Sequence, residues 1–144
     1  MAASKTIRTY NPAKIIVTFG GVPVTGYVED SFVKLERNGD VFEVSEGADG
    51  TVDRTNRNAF SYVATIVLKQ VSPTNDAFMD IMQADQSDDN GIKALQITDI
   101  GGTLQFSADA WIEKDPSRDM ARKMGSREWK FRTGIPSVDV HGSN

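Results

Sequence analysis

The sequence predicts a mainly β fold: an antiparallel β-sandwich or barrel with one flanking α-helix and a long protruding hairpin loop. Three observations carry this. Apolar residues recur with a period of two through most of the chain, the spacing of a strand with one face buried. A single clear segment, opened by Ser72-Pro73-Thr74-Asn75-Asp76, switches to helical spacing. Residues 38–58 are polar and glycine-containing, flanked by β-prone pieces.

Residues 14–19 hold the β-branched run Ile15-Ile16-Val17-Thr18-Phe19, which predicts the first strand. Gly20-Gly21 follows, and two glycines tolerate the positive φ angles of a two-residue hairpin turn. Residues 22–27 are then the returning strand, and residues 31–37 a third. Asn38-Gly39-Asp40 closes that strand with strong turn chemistry. Residues 60–69 alternate, with Phe60, Tyr62, Ala64, Ile66 and Leu68 against Ser61, Val63, Thr65, Val67 and Lys69. Both sets are rich in β-branched or aromatic residues, so the spacing predicts a central strand with contacts on each face.

Pro73 suits a first helical turn and Asp76 suits the positive end of the dipole. Ala77, Phe78, Ile81 and Met82 share one face, which predicts a helix ending near Ala84 with residues 86–91 as a polar loop. Residues 93–100, 104–113 and 127–133 read as three further strands, and residues 119–124 as a second short helix. Trp111 and Trp129 read as core or interface aromatics.

Residues 38–58 are too long for an ordinary connection and too poor in apolar residues for a core element. Val41, Phe42, Val44 and Val52 are the strongly apolar members. The expected form is a hairpin standing away from the body. A two-stranded ribbon is marginal alone in water, which calls for a partner surface.

Composition narrows the function. With 144 residues, 39% hydrophobic and 25% charged, the chain suits one domain spanning 1–144 with enough apolar material for a core. It has no cysteine, which removes disulfides, thiolate metal sites and cysteine nucleophiles. The one histidine, His141, sits in residues 136–144, which read as a mobile C-terminal tail. Neither a secretion signal at Met1-Ala2-Ala3-Ser4-Lys5 nor an apolar run long enough to span a bilayer is visible. The expectation is a soluble domain made in the cytoplasm, with no membrane partner. Its net charge of −4 argues against a protein that grips nucleic acid.

Calcium loops fail on spacing. With Gly91 or Gly50 at the sixth position, the first and twelfth positions lack the required acids. Asp88-Asp89 lie in a surface loop with nothing to perturb them, and Ser61 and Ser107 have no histidine near them in sequence. Gly20-Gly21 leads into Val-Pro-Val and not a helix that could cradle a phosphate. No catalytic, cofactor or metal residues are expected. Residues 114–132 are the most basic segment, but acids interleave with the cations, so charge pairing with a neighbouring subunit is favoured over a nucleic-acid patch.

Several segments, in order, resemble the phage tail tube proteins of contractile tails. They are Val17-Thr18-Phe19-Gly20-Gly21, Gly26-Tyr27, Phe32-Val33-Lys34-Leu35-Glu36-Arg37 and Gly47-Ala48-Asp49-Gly50-Thr51-Val52-Asp53-Arg54. Ala64-Thr65-Ile66-Val67-Leu68-Lys69-Gln70, Ser72-Pro73-Thr74-Asn75-Asp76, Ala108-Asp109-Ala110-Trp111-Ile112-Glu113-Lys114 and Gly125-Ser126-Arg127-Glu128-Trp129 complete the series. Beyond Pro136 no motif matches.

The resemblance implies homohexameric rings that stack into a tube in the virion tail, assembled in the bacterial host cytoplasm. It also implies sheath, baseplate and tail terminator proteins as partners, with tape measure protein and transiting DNA in the lumen. If four strands per subunit join in a sixfold barrel, ~24 strands at ~4.8 Å spacing give a backbone diameter of ~48 Å. A ring would carry a formal charge of about −24, which repels phosphates. Open sheet edges, a hazard in a monomer, would be satisfied by identical copies.

On this reading residues 38–58 form an assembly loop between subunits and rings. Val41, Phe42, Val44 and Val52 give apolar contact, Asp49 lies at the turn, and Arg54 and Arg57 face carboxylates of a neighbour. The lumen candidates are Lys34, Glu36, Ser61, Thr65, Gln105, Ser107 and Asp109. Two other readings stay open. One is the tube of a bacteriocin or type VI secretion-like particle. The other is a monomeric β-sandwich binding module using Trp111 or Tyr62 as an aromatic platform.

Overall fold

The computed structural model describes residues 7, 9–27 and 32–143, so the N-terminal pentapeptide and Ser31 lie outside the described residues. Strands β1 (Ile15–Phe19), β2 (Val22–Pro23) and β3 (Val33–Arg37) precede a separate hairpin of β4 (Phe42–Glu46) and β5 (Val52–Asn56). Then come β6 (Tyr62–Lys69), helix α1 (Thr74–Asp88), β7 (Lys93–Asp99), β8 (Gln105–Lys114), β9 (Ser126–Thr133) and β10 (Val138–Val140). One antiparallel sheet runs in the order β2-β1-β7-β8-β9-β6-β3, with β10 also on β8.

Gly20 and Gly21 take φ of 61° and 81°, as the two-residue turn requires, and set Phe19 opposite Val22. The returning strand is far shorter than expected. Pro23 has no N–H to continue the ladder, and after Val24 donates to the Val17 carbonyl (3.0 Å) the chain leaves β1. It crosses to the opposite margin of the sheet, where Tyr27 pairs with Leu68 and Lys69 donates to the Gly26 carbonyl at 2.7 Å. The sheet is thereby curled into both layers of the sandwich. At this end its borders are joined within the chain, whereas the outer edge of β3 is paired with no described strand.

The buried residues of every body strand lie on one face. Val17 and Phe19, Leu95 and Ile97, Phe106, Ala108, Ala110 and Ile112, Trp129 and Phe131, and Ala64, Ile66 and Leu68 form one core. Helix α1 inserts Phe78 among Phe19, Trp129 and Phe131. Ser72 prepares its start: the hydroxyl donates to the Thr25 carbonyl (2.6 Å) and accepts the Thr74 N–H (3.3 Å).

The helix extends past the expected end at Ala84 to Asp88, absorbing the first part of the anticipated loop. Asp89, in the left-handed region at φ 55°, ends it by donating its N–H to the Asp85 carbonyl. Residues 119–124 form no helix; the connection from β8 to β9 is irregular. The 60–69 strand begins at Tyr62, leaving Phe60 exposed. Within the expected tail, Val138–Val140 forms β10 against Ser107, Phe106 and Gln105, so that part is docked.

Tyr27 carries a testable anomaly. Its hydroxyl is buried with no hydrogen-bond partner among the described residues, and burial pushes its pKa up to about 12. Removing the oxygen by Tyr27→Phe should leave stability unchanged or raise it by up to ~1 kcal/mol. The folded phenol holds its proton where the unfolded one, near pH ~10, releases it. Its contribution is therefore complete below pH ~10 and lost as pH rises through the folded value, so the variant should lose less stability in that alkaline window. Urea midpoints measured across the window check both points; a destabilised variant would mean the hydroxyl has a partner.

Candidate assembly surfaces

All ten strand residues of the β4–β5 hairpin are exposed, and no body strand pairs with it among the described residues. The register sets Phe42 opposite Asn56, Val44 opposite Arg54 and Glu46 opposite Val52. Strand alternation then gathers Phe42, Val44, Glu46, Val52, Arg54 and Asn56 on one face and Glu43, Ser45, Asp53 and Thr55 on the other. Val44 and Val52 are 66% and 64% exposed, which leaves an apolar face open to water. The Arg54 guanidinium lies 4.4 Å from the Phe42 ring centroid. Arg57 pairs with Glu43 of its own hairpin (3.5 Å) and donates to the Asp40 carbonyl, so within one subunit its charge already has a partner. Val41 accepts the Arg57 N–H at 3.0 Å and extends the ladder toward the base.

Asp49 locks the turn. Its carboxylate accepts from the Thr51 hydroxyl (2.6 Å) and the Thr51 N–H (3.1 Å), and these bonds hold its pKa below the usual carboxylate value. Gly50 supplies the φ of 86° that the turn needs.

The hairpin base is clamped by a network that local sequence does not announce. Arg37, the last residue of β3, donates to the Ala59 carbonyl and to the Tyr62 hydroxyl, both at 2.8 Å. Tyr62 donates in turn to Asp139 of β10 at 2.6 Å. Burial, and then the neighbouring Asp139 carboxylate, raise the Tyr62 pKa. The sequence reading singled out neither Arg37 nor Asp139, because the partners lie far apart along the chain.

The lumen candidates fall into one group of six and one outlier. Lys34, Glu36, Thr65, Gln105, Ser107 and Asp109 alternate with core residues and so share the face of the sheet turned away from the core. Lys34 stands opposite Thr65, which stands opposite Lys130. Lys34 and Glu36 pair at 3.4 Å, both exposed. Ser61 precedes β6 and gives its carbonyl to the Asn38 N–H at the hairpin base. The same face holds the half-buried Trp111 beside the bidentate Arg132–Glu113 pair at 3.0 and 3.2 Å. Lys34, Lys69, Lys114, Lys130 and Arg132 on this face stand against Glu36, Asp109, Glu113 and Glu128.

Among the described residues no group of three His, Asp or Glu side chains could hold a metal ion. None of the helices in the described residues is long and apolar enough to cross a membrane.

No family profile matches the chain. It is 31% identical over 145 aligned residues to structural protein ORF10 of Pseudomonas phage KPP10, covering 94% of this chain and 83% of that protein. The fold is shared with several solved structures. The tube-terminating cap of the anti-feeding prophage superposes with a TM-score of 0.60 at 18% identity, over 95% of this chain and 93% of the other. The sheath–tube complex of an extracellular contractile injection system, PVC, gives 0.58 at 16% identity, over 92% and 93%. By its identity to that phage protein over most of both chains, the chain belongs to the family of this phage structural protein, and it shares its fold with chains of those two assemblies.

Proposed function

We propose that the chain is the repeating subunit of a phage tail tube, six copies closing a ring and stacked rings enclosing a bore through which DNA leaves the particle. It is a structural tail component of the virion and not an enzyme. The observation that carries the proposal is the β4–β5 hairpin, whose apolar face has nothing to cover it within one subunit. Apolar surface held out on a two-stranded ribbon is stable only when another surface buries it.

The outer edge of β3, paired with no strand among the described residues, supports lateral joining, because edge N–H and C=O groups match an edge on a second copy. The polar face of the sheet suits a bore. Its charges come close to cancelling, so low adhesion to DNA there would come from paired side chains and not from the acidic excess that net charge suggests. In this arrangement a sheath surrounds the tube, baseplate and terminator close its ends, and tape measure protein precedes DNA inside. The likeness to a tube-terminating cap favours one second reading, a terminator ring.

Negative-stain microscopy with light-scattering mass separates the readings. A tube subunit yields stacked sixfold rings, a terminator yields single rings that do not stack, and a binding module yields monomers at high concentration. Monomers alone would sink the proposal.

A further inference from the structure

Charge is segregated along the strands. Residues 114–132 carry seven cations and three anions, whereas residues 38–53 carry five carboxylates and no cation.

 Between Arg37 and Arg54 there is no lysine or arginine at all, and the hairpin tip, residues 45–53, holds Glu46, Asp49 and Asp53 unopposed. The sheet places the loop part of the basic segment, residues 115–126, at the end away from the hairpin, while β9 runs back from it toward Tyr62. The hairpin joins the body where β6 begins at Tyr62, and Ser126, where β9 leaves the basic loop, stands opposite Lys69 at the far end of β6. Eight residues of strand separate them, roughly 25 Å.

The basic end is hollow. The connection from β8 to β9 walls a cleft of about 760 Å³ lined by Lys114, Lys123, Arg127 and Lys130, with Asp115, Asp119 and Glu128 among the other lining residues. Among the described residues none of these cations has an ion pair. Arg127 is the telling member. It is only 8% exposed, and its one hydrogen bond runs to the carbonyl of the adjacent Ser126. A guanidinium withdrawn this far from water normally has a carboxylate beside it, because desolvating an uncompensated charge is costly.

We propose that this cleft receives the acidic hairpin tip of a second copy of the chain. The inference rests on the stacked-tube reading and deepens it by naming the receiving surface. Donor and receiver lie at opposite ends of one subunit, so the contact is head-to-tail and does not close on itself, which is the geometry of an open stack. Complementary charge would also fix the polarity of stacking, since two hairpin ends or two cleft ends repel.

A charge-swap series in the full-length chain tests it. Lys114→Glu with Lys123→Glu reverses the cleft at exposed positions, and Glu46→Lys with Asp53→Lys reverses the tip while leaving the Asp49 turn intact. Each pair alone should reduce end-to-end stacking at least ~10-fold, as close charge pairs across an interface do. All four changes in one chain should restore it. Unfolding temperature identifies any variant that fails to fold, and Lys123→Glu alone then replaces the cleft pair. Stacking that survives cleft reversal, or that the fourfold variant fails to recover, overturns the inference while leaving the tube reading in place. A wild-type chain that never stacks removes the tube reading and this inference together.

Discussion

Phe78→Ala is expected to lower the unfolding free energy by about 3–5 kcal/mol, as full truncation of a buried phenylalanine does. Phe78 is wholly buried and is the one apolar residue of α1 in that state; Ile81 and Met82 are half-buried on the same face. Its ring meets Phe131 and Trp129 edge-on, with centroids 5.2 and 5.4 Å away, and Phe19 at 6.1 Å. These contacts add to the area term, because edge-to-face rings contribute beyond burial. Strands β1 and β9 cannot close into the space without breaking ladders on both sides, so the cavity persists. The hydrogen bond from Trp129 Nε1 to Asn75 (2.9 Å) holds only the first turn and does not replace the anchor. Phe78→Leu, which refills most of the volume, should cost roughly 1–2 kcal/mol. Urea unfolding followed by circular dichroism checks both. A loss below ~1.5 kcal/mol for the alanine variant would mean the helix is held elsewhere.

The parts of this fold legible in the sequence are those whose burial is local. Ile15–Phe19, Tyr62–Lys69 and Gln105–Lys114 alternate because one face of a curled sheet is dry, and period two records that directly. Gly20-Gly21 announces its turn because few other residues tolerate those angles. The helix end is illegible because Asp89, an uncommon left-handed cap, stops it where the sequence offers Gly91 as the obvious signal. Gly91 instead donates its N–H to the Asp85 side chain.

Strand β10 is three exposed residues long, and its place depends on an edge of β8 that alternation cannot reveal. The candidate surfaces divide in the same way. The polar face follows from parity once strands are known, which is why six of the seven bore candidates share it. The clamp of Arg37, Tyr62 and Asp139 is invisible, since its members are 25 and 77 residues apart. Alternation in the sequence already sets Arg127 on the face of Trp129 and Phe131, and β9 buries it there; that it has no carboxylate paired with it among the described residues is what alternation does not reveal.

Deleting residues 47–53 should abolish tube formation while changing the stability of the body by no more than about 0.5 kcal/mol, the usual limit for surface changes. The deletion removes the turn and the start of β5, and every residue lost is exposed and unpaired with the body sheet. The clamp at Arg37, Ala59 and Tyr62 lies outside the cut, so the chain ends entering the hairpin stay fixed. Assembly is another matter. Val44 and Val52 would each contribute about 1.5–3 kcal/mol if fully buried by a neighbour. Six equivalent contacts around a ring multiply that gain through effective concentration, so losing it should eliminate stacking altogether.

Val44→Ser with Val52→Ser is the gentler companion, keeping the ribbon and its charges while removing the apolar contact. Thermal unfolding, sedimentation and negative-stain images of both variants beside the wild type give the readout. Normal tubes from the deletion variant would show that the hairpin is not the joint. Normal tubes from the serine variant alone would assign the joint to charge, leaving the acidic tip and the basic cleft as its principal parts.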